Sequence, residues 1–72
     1  MANFYRGEYL VDGEAEPRLW RAVVENRRAV IQSGDASKTY NRLETPADEA
    51  MCRSLAESLI LDSINGPRGA SA

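Results

Sequence analysis

The sequence predicts an α+β fold: a three- to four-stranded antiparallel sheet with one C-terminal helix packed on one face. Three observations carry this. Residues 4–11 and 18–33 are rich in aromatic and β-branched residues that alternate along the chain. Asparagine, glycine and aspartate punctuate these runs at Asp12-Gly13, Asn26 and Gly34-Asp35. A helix-start signal, Thr45-Pro46-Ala47-Asp48-Glu49, precedes the longest stretch free of glycine and proline.

Phe4 to Val11 reads as the first strand, with Tyr5, Tyr9 and Val11 on one side and Phe4, Arg6, Glu8 and Leu10 on the other. Gly7 in its middle marks a bulge or a close backbone approach. Asp12-Gly13 turns the chain, and Pro17 makes the following acidic segment a loop. Arg18 to Glu25 and Arg28 to Ser33 form a hairpin, because Asn26 tolerates the left-handed backbone of a tight turn. Trp20, Ala22 and Val24 share one face of that hairpin, and Leu19, Arg21 and Val23 the other. Lys38 to Asn41 is extended and either adds a fourth strand or runs along the edge.

In the helix, Thr45 is expected to cap, Pro46 to take the first helical position, and Asp48 and Glu49 to complement the dipole. Asn65-Gly66-Pro67 is the stop signal, so residues 1–66 make one domain and 67–72 a disordered tail. On a helical wheel Ala47, Met51, Cys52, Leu55 and Leu59 face inward, while Ile60, Leu61 and Ile64 fall toward the polar side of Glu49, Arg53 and Glu57. The expected core is Trp20, Ala22, Val24, Val30, Met51, Leu55 and Leu59, with the choice between Val30 and Ile31 resting on the register.

Composition narrows the function. A chain of 72 residues holds one domain with a marginal core, and its single cysteine allows no internal disulfide. There is no histidine, so neither the usual general base nor a zinc site is at hand. Cys52 reads as a small buried hydrophobe, and the carboxylates Glu14, Glu16, Asp48 and Glu49 as solvated charges. No cofactor is implied. A net charge of −2 disfavours direct nucleic-acid binding. No apolar run has membrane-spanning length, and the N-terminal residues lack a signal-peptide pattern, so a cytoplasmic location is expected.

The stretch LWRAVVENRRAVIQSGDASKTYNR resembles the repeat unit of the YegP-like family of small proteins, through Trp20-Arg21, Asn26, Val30-Ile31, Ser33-Gly34 and Tyr40. That resemblance implies a three-stranded sheet with one helix and a structural homodimer, and no catalytic residue. By size and architecture alone the chain also resembles small phage-encoded inhibitors such as anti-CRISPR proteins, which would place it in the host cytoplasm. The expected function is a non-catalytic protein-binding module that occludes a surface of a larger protein or nucleoprotein complex. Its expected contacts are Ile60, Leu61, Ile64 and Arg53 on the helix, with Phe4 and Arg6 on the first strand. The alternative is a nucleic-acid accessory protein using the arginines of the hairpin, Arg18, Arg21, Arg27 and Arg28.

Overall fold

A computed structural model describes residues 2–65. Four strands, β1 (Asn3–Tyr9), β2 (Arg18–Glu25), β3 (Arg28–Ser33) and β4 (Ala36–Tyr40), are followed by one helix, α1 (Glu49–Asn65). The strands form an antiparallel meander in the order β1-β2-β3-β4. α1 lies across one face, chiefly over β3. The expected α+β fold is the fold observed, with the fourth strand present. The stop signal at Gly66-Pro67 and the tail at 67–72 lie outside the described residues.

Tight turns set the register. Val11 accepts a hydrogen bond from Glu14 N at 3.0 Å, and Gly13 between them takes φ +90°, which a side chain would resist. Asn26 (φ +56°) and Arg27 join β2 to β3, so Glu25 pairs with Arg28 and Ala22 with Ile31. Gly34 (φ +59°) and Asp35 join β3 to β4, pairing Ser33 with Ala36. This second turn starts β4 at Ala36, two residues earlier than the expected extended piece.

The two-residue turn at Asn26 resolves the choice left by alternation. Ile31 and Ala29 point into the core with Trp20, Ala22 and Val24, whereas Val30, expected inside, lies on the opposite face beside Val23. Burying Ile31 completely contributes about 2 kcal/mol. β1 pairs with β2 without interruption from Asn3↔Val24 to Tyr9↔Arg18, so Gly7 is not a bulge. It is a close approach: a Cβ there would come within 2.7 Å of Trp20 Cζ2. The indole covers the only strand residue that leaves it room.

The helix starts later than its first signal. Asp48, not Thr45, is the cap: its Oδ1 accepts from Met51 N at 2.8 Å, and its carbonyl accepts the first helical bond from Cys52 N at 3.0 Å. Pro46 therefore precedes the helix rather than opening it. Ala47, just before the cap, is buried with Cys52 four residues into the helix, which fastens the entry of the chain to the core. The stripe on the sheet is Cys52, Ala56, Leu59 and Ile60, with Met51, Leu55 and Ile64 half-buried along its flanks. This differs from the expected face, in which Met51 and Leu55 were central and Ile60 pointed outward. The small side chains of Cys52 and Ala56 are fully buried where the helix meets the sheet. The longer Met51 and Leu55 pack against that core while remaining half-buried.

Candidate functional site

The groups with chemical potential are mostly occupied in structure. Cys52 is fully buried, and burial pushes its thiol up, with the nearby Asp48 carboxylate acting the same way. Glu14 takes both hydrogen bonds from Arg18, Nε to Oε1 at 3.0 Å and Nη2 to Oε2 at 2.7 Å. That fork holds the Glu14 carboxyl below its ordinary range and raises Arg18. Among the described residues no cluster of histidine, cysteine or acidic side chains is arranged to hold a metal ion, and no helix is long and apolar enough to cross a membrane.

The face of the sheet opposite α1 has a different character. Strand alternation and register put Phe4, Val23, Val30 and Thr39 in one row across it, and Arg6, Arg21, Gln32 and Ser37 in the next. Leu19 and Glu8 pair beyond the arginine row; Glu25 and Arg28 pair beyond the apolar row. Phe4 is 74% exposed, Leu19 65% and Val23 36%. Arg21 Nε donates to Gln32 Oε1 at 2.9 Å, so this part of the polar row is held in place, while on the helix-facing side Ser33 Oγ donates to the Leu19 carbonyl at 2.7 Å. An open groove runs along it, lined by Arg6, Gly7, Glu8, Leu19, Arg21 and Gln32.

The expected contact residues separate into two groups. Phe4 and Arg6 lie on this uncovered face. On the helix, Arg53 is exposed and Leu61 is 39% exposed. Ile64 packs against the core. Ile60 is only 1% exposed, so the expectation that it meets a partner is corrected: it is a core residue, in line with Cys52 and Ala56. The hairpin arginines are also divided. Arg18 is tied to Glu14 on the helix-facing side, Arg21 and Arg28 are on the uncovered face, and Arg27 is in the turn, where its carbonyl accepts from Leu43 N at 2.9 Å. Arg42 (φ +59°) joins Arg27 and Arg28 at that end. Leu19, Val23 and Val30 were not expected as surface residues of interest. For Leu19 and Val23 the signal was present: the second face of RLWRAVVE is itself half apolar, more than one solvated face requires.

Comparison with known proteins finds nothing: no protein-family model, no curated protein and no solved structure matches this chain.

Proposed function

We propose that the chain is a non-catalytic protein-binding module that docks through the uncovered face of its sheet, acting as a phage-type inhibitor that occludes a surface of a larger protein or nucleoprotein complex. The observation that carries this is the apolar row of Phe4, Val23 and Val30 across the uncovered face, in which Phe4 and Val23 are exposed, with Leu19 exposed beyond the arginine row. Singly exposed apolar side chains are ordinary on any protein, but a patch rimmed by polar groups is the mark of an interaction site. Arg6 and Arg21 on one side of the row and Glu25 and Arg28 on the other supply that rim.

The test is a comparison of Phe4→Asp/Val23→Asp with Leu61→Asp in affinity capture from the native host. Both variants should keep the far-ultraviolet circular dichroism of the unaltered chain. A specific partner should be retained by Leu61→Asp and lost by the double variant. Retention by the double variant would assign the contact elsewhere. The nucleic-acid reading keeps one supporting feature, the gathering of Arg27, Arg28 and Arg42 at one end of the sheet. A gel shift that appears at low salt and vanishes at high salt would favour it, because phosphate contacts release counterions.

A further inference from the structure

Arg6 and Arg21 are direct partners across β1 and β2. Their side chains therefore leave the same face with Cβ atoms about 5 Å apart, a placement that destabilises a sheet when the two charges are alike. Both residues are exposed, and among the described residues the only ion pair is the one joining Arg18 to Glu14. Gln32 Oε1 accepts a hydrogen bond from Arg21 Nε. As a neutral acceptor it orients the guanidinium without cancelling its charge, and the outer nitrogens remain free to donate. The apolar row of Phe4, Val23 and Val30 lies one two-residue step along the strands, a distance of about 7 Å.

We propose that the docking face recognises an acidic residue of a partner protein, whose carboxylate is received between Arg6 and Arg21 while an apolar neighbour rests on Phe4, Val23 and Val30. This rests on the reading of that face as a protein-docking surface and names the partner's chemistry. Charge selects the occupant. A second copy stacked with the arginine row on its two-fold axis would bring two Arg6–Arg21 pairs, four guanidinium groups, to one centre. A nucleic-acid strand would carry its phosphates past Glu8 on one side and Glu25 on the other. A single carboxylate passes only Glu8, which two arginines outweigh, and it matches the planar fork of arginine.

The experiment titrates the isotope-labelled full chain with three probes, followed by nuclear magnetic resonance. The probes are Ac-Leu-Ser-Glu-NH2, the same peptide with glutamine in place of glutamate, and an oligothymidylate of eight nucleotides. The glutamate peptide should shift the Arg6 and Arg21 Nε–H signals and the Val23 and Val30 amides, and should saturate. The glutamine peptide should bind roughly fivefold more weakly, the difference expected between a charge-assisted and a neutral hydrogen bond. Arg21→Ala should lower the glutamate peptide to the glutamine level while leaving the remaining spectrum in place. Equal binding of the two peptides at this face would overturn carboxylate recognition and leave the docking surface standing. Tighter binding of the oligonucleotide, or the absence of any shift at the face, would also overturn the inference. The docking surface itself is judged separately by the Phe4→Asp/Val23→Asp capture.

Discussion

Gly7 and Trp20 show how closely one residue can constrain another. The indole needs a neighbour with no side chain, and it is buried with its N–H lacking an acceptor, a cost of about 1–3 kcal/mol. Gly7→Ala should destabilise by roughly 1–3 kcal/mol, because overpacking against a fixed ring outweighs the smaller gain of replacing glycine in a strand. The penalty should shrink in a Trp20→Phe background, since the shorter ring vacates the space around Cζ2 and Nε1. Urea denaturation of the four chains in the cycle measures this, and equal penalties in both backgrounds would refute the contact. Glu14 gives a pH-dependent counterpart. Its carboxyl is held below its unfolded value by the hydrogen bonds from Arg18. Its contribution is therefore present above the unfolded pKa and lost as pH falls through the lowered, folded one. The stability gap between the unaltered chain and Glu14→Gln should be open at neutral pH and close below the ordinary carboxylate range. A gap that persists in acid would mean that Glu14 acts through something other than its charge.

At the level of the elements, the helix is where changes should discriminate most sharply. Asp48→Ala should cost about 1 kcal/mol and Thr45→Ala close to nothing, because only Asp48 accepts a first-turn amide. Ile60→Ala should cost about 2–5 kcal/mol by opening a cavity, while Leu61→Ala, next to it and substantially exposed, should cost far less. Thermal or chemical denaturation reads both pairs; reversal of the first order would move the helix start, and reversal of the second would place the helix in another rotation. The strands were legible in the sequence because alternation has a period of two and each turn carries its own residue signature. Counting Asn26-Arg27 as a two-residue turn also assigns Ile31 inward, since Glu25↔Arg28 carries through to Ala22↔Ile31. The helix's rotation was not legible. Its apolar side chains are spread nearly all the way round, so a wheel weighted by size favours Met51 and Leu55. Close packing against the sheet instead favours the small Cys52 and Ala56, both fully buried. The candidate surface was half legible for a related reason. Phe4 and Arg6 were visible on a mixed strand, but in β2 the tryptophan drew attention to its own face and away from Leu19 and Val23.

Over the whole molecule, the meander sorts charge as well as strands. The β1–β2 loop and the β3–β4 turn share one end of the sheet and carry Asp12, Glu14, Glu16 and Asp35, while the other end carries Arg27 in the β2–β3 turn and Arg28 at the start of β3. The uncovered apolar face lies between these ends. The net charge is only −2, and the isoelectric point near 5.0 is within easy reach of mild acid. Close to that pH the general repulsion between copies disappears, and opposite ends of neighbouring molecules attract one another. The local repulsion at Arg6 and Arg21 still opposes an ordered, face-to-face dimer, so the association expected there is weak and open-ended. Light scattering at moderate concentration should therefore rise to a maximum near pH 5.0 without loss of secondary structure. Phe4→Ser/Leu19→Ser/Val23→Ser should remove that maximum while leaving the isoelectric point in place, because serine carries no charge. If the triple variant scatters as strongly as the unaltered chain, charge pairing between the ends is sufficient for association and the apolar face has no part in it.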